Sequence, residues 1–424
     1  MKFLAKKTLA VCCLLIASQS ALASETLSSA NTAWILTSTA LVLFMTIPGL
    51  SLFYGGLVRV KNVLSVLMQC FAITCMVSVL WLIGAYSLAF SEGNALIGGL
   101  DNMFFANVTE GSMSGDIPES VFAMFQLTFA IITPALIVGA FAERMKFASM
   151  MLFSAIWLIV VYAPVTHWVW GGGWLGEMGL LDFAGGTVVH VTAGAAALVC
   201  ALVMGPRKGF PTTAMPPHNL TMAMTGAGML WVGWFGFNAG STLGATDLRI
   251  SVVATNTFLG AAGGAALVIF VSWIAFGFVD LGMVCNGALG GLVAITGPCA
   301  YVPPWAAVTI GILAGAIMWG TVIFVETQLK IDDPLGAVAV HGANGIWGML
   351  AIGIFADGTY GGVSGCITGS IGQLQAQTIG AAAAIRASFA SFSASKAFAF
   401  VSASTFAKLS FLESTFAALS SNHA

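Results

Sequence analysis

The hydrophobic residues of this chain fall in long runs, and short polar segments separate one run from the next. An α-helix needs about 20 apolar residues to cross a hydrocarbon core that is about 30 Å thick. Runs of that length lie near residues 32–55, 63–90, 119–141, 147–169, 183–204, 220–240, 251–277, 283–301, 306–329 and 335–356, and a weaker run lies near 366–400. The pattern therefore predicts an all-α polytopic membrane protein with eleven transmembrane helices.

The composition supports this class and excludes others. Hydrophobic residues make up 58% of the 424 residues and charged residues 7%, whereas soluble domains have about 25% charged residues. The net charge of −2 and the lack of a long basic segment argue against a nucleic-acid partner. No nucleotide motif and no nucleophile–base pattern is present, which indicates a protein that is not an enzyme. The cysteines after residue 23 have no CxxC spacing and are predicted to be packing residues, so neither a metal nor another cofactor is expected.

Residues 1–23 have the pattern of a secretory signal peptide. Three lysines precede the apolar stretch from Leu9 to Ile16, and Ala21-Leu22-Ala23 is a small-x-small cleavage site. The alternative is an uncleaved first helix. Cleavage would leave the mature N-terminus outside the inner membrane of a Gram-negative type of envelope. The predicted organisation is a signal peptide at 1–23, a transmembrane domain at 24–400 and a cytoplasmic tail at 401–424.

The basic residues of the loops support this orientation. If the mature N-terminus is periplasmic, Arg249 is the one basic residue in the external loops, and the long external loop 91–118 has acidic residues but no lysine or arginine. The internal loops then contain Arg59, Lys61, Arg144, Lys146, Arg207, Lys208 and Lys330. An excess of positive charge is typical of cytoplasmic loops.

Two apolar runs begin with the same spacing of ionisable residues. Asp182 precedes His190 by eight residues, and Asp333 precedes His341 by eight residues. Eight helical residues rise about 12 Å, which brings each histidine near the middle of the bilayer. The equivalent positions lie five helices apart, and an odd number inverts the second copy relative to the membrane. The sequence therefore predicts two inverted repeats, helices 1–5 and 6–10, around a central pore where the histidines meet.

These four residues have more than one interpretation. Asp333-Pro334 has the pattern of a helix start, so Asp333 is predicted to be an N-cap. Asp182 is either a similar cap or a buried carboxylate that favours a cation at the external mouth. Two facing imidazoles can share an N–H···N hydrogen bond, pass a proton or bind a small polar molecule. They make a poor zinc site without further ligands, and a bis-histidine haem is the remaining alternative.

Aromatic residues are frequent where helices 3, 4 and 6 reach the external face. They are Phe125, Phe129, Trp168, Trp170, Trp174, Phe235 and Phe237. Each of these residues alone is explained as a member of an aromatic belt at the membrane interface. Together with Ser241, they can also form a cage for a small cation. Below such a cage the path to the histidines is apolar. A cation that can release a proton avoids that barrier, and ammonium is the commonest such ion.

The same residues lie in stretches that resemble the ammonium transporter (Amt/Mep/Rh) family, especially its bacterial Amt branch. The matching stretches are Ile47-PGLSLFYGGLVRVKN, Phe125-QLTFA, Ala142-ERMKF, His167-WVWGGG, Asp182-FAGGTVVH, Pro217-HNL, Trp234-FGFNAGS and Asp332-DPLGAVAVHG. The resemblance implies eleven transmembrane helices, a homotrimer and one conduction path in each subunit. It also implies inward movement of ammonium or methylammonium across the inner membrane.

The resemblance assigns roles to individual residues. Phe125, Trp170 and Ser241 would form the outer recruitment site, and Asp182 would be the buried acidic residue beneath it. Phe129 and Phe237 would be the gating phenyl rings, and His190 and His341 the paired histidines of the pore. The alternatives within the same fold are a neutral ammonia or gas channel of the Rh type and an ammonium sensor.

The C-terminal region departs from the family pattern. After about Ala384 the chain is rich in Ser, Ala and Phe, and the acidic, glycine-bearing tail of the family is absent. A reading-frame change near residue 385 and a divergent natural tail are the two explanations. The family docks a PII-type regulatory protein through its tail. Because this tail departs from the pattern, the resemblance leaves such a partner open and does not imply it.

Overall fold

The fold is a bundle of long apolar helices, seen here in a computed structural model that describes residues 26–390. The predicted signal peptide, the predicted tail at 401–424 and the end of the eleventh run lie outside these residues. The helices are α1 Ser29–Leu57, α2 Val60–Phe90, α3 Glu119–Phe141, α4 Phe147–Glu177, α5 Gly186–Met204, α6 Leu220–Ala239, α7 Ile250–Phe276, α8 Leu281–Thr296, α9 Pro304–Gln328, α10 Val338–Phe355 and α11 at 372–390.

The predicted all-α membrane fold is confirmed. Within the described residues, nine helices are long and apolar enough to cross a membrane, and α8 is a shorter apolar helix. The prediction places the end of the eighth run at residue 301, whereas α8 ends at Thr296. Residues 297–300 form a turn there, and Pro298 has no backbone N–H to continue the hydrogen bonding of the helix. The described part of α11 is helical from 372 to 390, although the run there is the weakest in the sequence.

The external loop between α2 and α3 contains two small hairpins. Strands β1 Gly93–Asn94 and β2 Ile97–Gly98 pair antiparallel, with Gly93 opposite Gly98. Strands β3 Met113–Ser114 and β4 Ile117–Pro118 form the second antiparallel pair. The first hairpin lies against the C-terminal end of α4, and the indole Nε1–H of Trp168 donates to the Leu96 carbonyl at 2.7 Å.

The two halves of the chain pack with reciprocal contacts. The first turn of α10, Val338–Ala343, lies against Thr192–Met204 of α5, and the first turn of α5, Gly186–Val191, lies against Asn344–Phe355 of α10. Because the start of each helix lies against the remainder of the other, α5 and α10 run antiparallel. α1 and α6 pack in the same reciprocal way. The predicted inverted arrangement of helices 1–5 and 6–10 is therefore present.

Burial differs strongly between helices. α3 and α5 are the most buried of the long helices, whereas α2, α7 and α9 expose much of their apolar surface. Leu64 and Ile274 are more than four-fifths exposed, at 81% and 82%. Apolar side chains so exposed suit contact with lipid. A buried cavity lies among α1, α3, α5, α6, α8 and α10, behind this apolar outer surface.

Candidate functional site

The structure brings His190 and His341 face to face. Their ring centroids are 5.3 Å apart, and the ring planes are within 9° of parallel. His190 is 1% exposed and His341 5% exposed. Each histidine lies in a π-helical first turn, at Gly186–Val191 or Val338–Ala343. π-Helical turns are rare in proteins and are frequently found at functional sites.

The shared hydrogen bond that two imidazoles can form is not made in this structure. Within the described part of the chain, neither ring nitrogen of His190 has a hydrogen-bond partner, and Nδ1 of His341 has none either. Buried polar groups almost always find partners, so unpaired nitrogens in an apolar setting point to a site where a polar molecule is handled.

Asp182 and Asp333 cap the helices that bear the histidines. Oδ1 of Asp182 accepts from the backbone N–H groups of Gly185 and Gly186 at 2.9 and 2.6 Å, and Oδ2 accepts from those of Thr187 and Val188 at 2.7 and 3.0 Å. Gly185 has a φ of 111°, a left-handed conformation that suits glycine. The carboxylate therefore satisfies four backbone donors at the start of α5.

Asp333 plays the corresponding part for α10 with fewer bonds. Its two oxygens accept from the N–H groups of Ala337 and Val338 at 3.0 and 2.8 Å. The side chain is 4% exposed. Asp333 therefore caps the start of α10, as predicted, but Pro334 is not the first helical residue. Pro334 lies in a turn and Gly336 has a φ of 75°, so helical structure begins only at residue 337. Asp182 makes the same kind of contact more extensively.

Four of the seven external aromatics come together above the histidines. Phe129 contacts Phe125 at 5.1 Å, Trp170 at 5.8 Å and Phe237 at 4.4 Å between ring centroids. The Ser241 hydroxyl donates to the Phe237 carbonyl at 2.9 Å, which places Ser241 one turn along α6 from Phe237. Nε1–H of Trp170 donates to the Asp182 carbonyl at 2.8 Å and so links the aromatic cluster to the start of α5.

The other three aromatics lie elsewhere. Trp168 and Trp174 contact each other at 5.9 Å, beside the first hairpin of the external loop. Phe235 makes no ring contact with the cluster among the described residues. These three side chains are accounted for by packing and by attachment of the loop.

A narrow apolar cavity lies beside the histidines, and Phe237 is the member of the aromatic cluster that lines it. Its walls include Ile132, Leu136, Leu230, Trp234, Phe237 and Leu289, together with both imidazoles. The hydroxyl of Tyr54, which also lines it, donates to the Leu136 carbonyl at 3.0 Å. The cavity can therefore hold a small neutral molecule, whereas an ion there would lose its hydration without compensation.

Two features near the site carry no role in the sequence-based prediction. The first is His167, which is 2% exposed and whose two ring nitrogens lie 3.1 Å from the Ala89 carbonyl and 2.9 Å from the Asn94 carbonyl. It holds the external loop against α4, three residues from Trp170. In the sequence, the one indication of this role is that His167 directly precedes Trp168-Val169-Trp170.

The second feature is a cluster of charges that joins four loops of both halves. Arg59 donates to Glu143 through Nε at 2.6 Å, and Arg207 donates to Asp332 through Nε and Nη2, both at 2.9 Å. Nη1 of Arg207 also lies 3.8 Å from Glu143. Arg144 adds bonds to the carbonyls of Ala140, Gly205 and Asp332, at the ends of α3 and α5.

Both carboxylates of this cluster are stabilised in their charged form. Burial would raise the pKa of Glu143, but hydrogen bonds from Arg59 outweigh it, and the pKa is lowered. Burial likewise opposes the charged form of Asp332, and its hydrogen bonds with Arg207 lower the pKa below the ordinary value. The side chains of both acids are fully buried, at 0% exposed.

Comparison with known proteins gives a consistent picture. The model of the Ammonium Transporter Family matches residues 33–403. The ammonium transporter of Bacillus subtilis is 47% identical over 320 residues, which cover 75% of this chain and 78% of that protein. Ammonium transporter Amt1 of Archaeoglobus fulgidus is 42% identical over 358 residues, covering 84% of this chain and 88% of that protein.

Solved structures agree with the sequence comparisons. The crystal structure of Saccharomyces cerevisiae Mep2 matches with a TM-score of 0.79 at 36% identity, covering 86% of this chain and 83% of that chain. A structure named Sensor Amt Protein matches with a TM-score of 0.80 at 31% identity, covering 85% of this chain and 90% of that chain. The expectation of a transport protein and not an enzyme is confirmed by these matches. The chain is therefore a multi-pass membrane protein that belongs to the ammonium transporter family.

Proposed function

We propose that this protein moves ammonium inward across the inner membrane, by taking up the cation at an outer aromatic site and passing ammonia through the apolar cavity. The observation that carries the proposal is the facing pair His190 and His341, which line that cavity with unpaired ring nitrogens. Membership of the ammonium transporter family supplies the substrate class.

Recruitment is assigned to Phe125, Trp170 and Ser241. Aromatic faces attract a desolvated cation by about 2 kcal/mol, and a hydroxyl can accept one of its N–H bonds. Trp170 and Ser241 are partly exposed, while Phe125 is fully buried behind them. A cation can therefore reach the site from outside and meet aromatic surface before it enters the cavity.

Deprotonation is assigned to the step beneath the recruitment site. Phe129 and Phe237, with ring centroids 4.4 Å apart, close the way to the cavity and act as the gate. A charged species would lose its hydration among the apolar walls, whereas ammonia crosses at much lower cost. The imidazoles then take up the proton or hydrogen-bond the ammonia, because each neutral ring offers one donor and one acceptor.

Asp182 acts on the substrate through its field and not by direct contact. Its two oxygens already accept four backbone N–H bonds, which use the lone pairs that ammonium would need. The backbone carbonyl of Asp182 accepts from the indole N–H of Trp170, which ties this residue to the outer site. It therefore fixes the start of α5 and biases the outer site toward cations.

The assembly and orientation follow from the family and the loop charges. We expect a homotrimer with a periplasmic N-terminus and a cytoplasmic C-terminus, with the cluster around Glu143 and Asp332 at the cytoplasmic face. Reporter fusions after residue 62 or 208 should then be cytoplasmic and those within 95–116 periplasmic, and the reverse pattern would exclude this orientation. A PII-type partner is not proposed, since the tail lacks the family pattern.

Flux and current measured together in proteoliposomes test the proposal. An inward ammonium gradient should give both ammonium uptake and an inward current, whereas an equal potassium gradient should give no current. Uptake without current would favour the neutral channel of the Rh type. Neither uptake nor current would contradict transport and favour the sensor, an alternative raised by the likeness to Sensor Amt Protein.

A further inference from the structure

The two histidines have different aromatic surroundings, although they occupy equivalent positions in the two halves. The ring of His190 stacks on Trp234 at 5.6 Å and 17°, and it contacts Phe237 at 5.9 Å and 33°. In the part of the chain that the structure describes, His341 has a ring contact with His190 only. The environment of the pair is thus asymmetric.

The orientation of Trp234 is set by a chain of hydrogen bonds. Its Nε1–H donates to the Thr296 hydroxyl at 2.9 Å, and that hydroxyl donates to the Leu292 carbonyl at 2.7 Å. Trp234 is 2% exposed and Thr296 fully buried. The end of α8 therefore holds the indole plane parallel to the imidazole of His190.

An indole face attracts a positive charge above it, and the attraction grows where water is excluded. An imidazolium at His190 would be stacked on such a face, whereas an imidazolium at His341 would face only another imidazole. We infer that Trp234 makes His190 the member of the pair that holds the proton during transport, with Thr296 as the positioning residue that keeps Trp234 in place. The inference rests on the proposed function and specifies its deprotonation step.

The step balances without any further reactant. One N–H bond of ammonium breaks and its electron pair stays on nitrogen, which leaves ammonia. The proton forms an N–H bond with the unprotonated ring nitrogen of His190, and both nitrogens of this ring are without a partner among the described residues. Proton transfer onward restores the neutral imidazole, and no oxidation or reduction occurs.

The test compares two tryptophans of the same helix. Trp234→Leu removes the face against His190. Trp231→Leu is the matched control, because the ring of Trp231 contacts Phe258, at 5.5 Å and a tilt of 43°, and not a histidine. Ammonium-driven current is recorded in proteoliposomes from about pH 5 to pH 8. Flux of the neutral gas across the same vesicles is followed separately, so that a blocked pore is distinguished from altered proton handling.

We expect Trp234→Leu to reduce the current at pH 7 by about tenfold and to move the acid limb of its pH profile down by about one unit, since the proton on His190 loses its aromatic neighbour. Trp234→Phe should recover part of the current. Thr296→Val, which removes the acceptor at similar volume, should shift the profile in the same direction by a smaller amount. Trp231→Leu should leave the profile unchanged.

Combining Trp234→Leu with a substitution of either histidine shows which of the two imidazoles Trp234 acts on. The shift caused by Trp234→Leu should persist in a His341→Asp background and disappear in a His190→Asp background. A shift of equal size in both backgrounds would overturn the inference, and so would a wild-type pH profile for Trp234→Leu and Thr296→Val alike. Where a background carries no current, the comparison in the wild-type background decides. Absence of current and uptake in the wild-type protein would instead contradict the proposed function itself.

Discussion

Gly194, one turn after His190, lies against the backbone of Gly342, directly after His341, so that α5 and α10 touch through their main chains. A Cβ at Gly194 would overlap the Gly342 backbone. Gly345 makes the reciprocal contact, where a Cβ would lie 3.0 Å from the Val191 nitrogen and 3.2 Å from the His190 Cβ. Each glycine follows its own histidine by four residues and shares its helix face. The two glycines therefore set the distance between the imidazoles.

Replacing either glycine should separate the histidines. Gly194→Ala puts a methyl group into backbone that cannot move aside, so we expect a loss of about 1–3 kcal/mol in the free energy of unfolding and a strong loss of ammonium current. Thermal unfolding of the purified trimer and current in proteoliposomes measure the two effects. Gly228→Ala on α6 is the control, because a Cβ there has no atom within 4 Å. If Gly194→Ala and Gly228→Ala had the same unfolding temperature and the same current, the contact between α5 and α10 would not determine the spacing of the histidines.

The capping role of Asp182 leads to a second prediction. Asp182→Asn would turn an amide donor toward backbone N–H groups, and leaving buried donors unpaired costs about 1–3 kcal/mol. We expect this variant to unfold at lower temperature than Asp333→Asn, since Asp182 accepts four N–H bonds and Asp333 two. If Asp182→Asn kept the wild-type stability but bound ammonium more weakly, direct contact with the substrate would replace capping as its main role.

The outer aromatic cluster predicts a change in affinity. Trp170→Leu and Ser241→Leu should each weaken the apparent affinity for ammonium and methylammonium while the trimer still assembles, because a single cation–π interaction or hydrogen bond contributes about 0.5–2 kcal/mol. Concentration dependence of the current gives the affinity. Trp305→Leu, an exposed tryptophan at the start of α9, is the control. Unchanged affinity in both test variants would assign these residues to the interfacial belt alone.

The cluster of Arg59, Glu143, Arg207 and Asp332 predicts a pH-dependent stability. A carboxyl group with a lowered pKa in the folded state stabilises the protein above its ordinary pKa and loses this contribution as the pH falls through the folded value. Glu143→Gln and Asp332→Asn should therefore lower the unfolding temperature at pH 7, since breaking a buried ion pair costs about 3–5 kcal/mol. Below about pH 4 the difference from wild type should shrink.

The control for this prediction is Glu177→Gln, because Glu177 is exposed and forms no ion pair among the described residues. It should leave the unfolding temperature unchanged at both pH values. A difference between wild type and Asp332→Asn that stayed constant from pH 7 to pH 3 would mean that the effect on stability comes from packing and not from charge.

The sequence predicts the helices and the meeting of the histidines for clear physical reasons. Runs of about 20 apolar residues have few alternatives to a membrane helix, and the eight-residue spacing in Asp182…His190 and Asp333…His341 carries the inverted symmetry. Capping by both aspartates follows from the same local pattern. These features depend on residues close together in the chain.

Features that depend on distant residues were not predictable in the same way. Arg207 and Asp332 are 125 positions apart, and hydropathy places them only in internal loops. The stacking of Trp234 on His190 depends on the crossing of α5 and α6, which no periodicity specifies. The split of the external aromatics, with Trp168 and Trp174 outside the cluster, depends on where the first hairpin of the external loop packs.

Removal of both imidazoles decides whether His190 and His341 form the functional centre of the protein. Single His190→Ala or His341→Ala variants should lose ammonium-driven current or its selectivity over potassium, with the trimer still isolable, while His190→Asp retains partial activity because a carboxylic acid can donate and accept. If the histidines were purely structural, replacement by alanine would lower the stability of the protein in proportion to the cavity created, and replacement by aspartate would not retain activity. The deciding measurement is the current carried by ammonium and by potassium through the His190→Ala, His341→Ala double variant in proteoliposomes. We expect loss of the ammonium current or of its selectivity. Wild-type current with wild-type selectivity would show that the two histidines are not the functional centre.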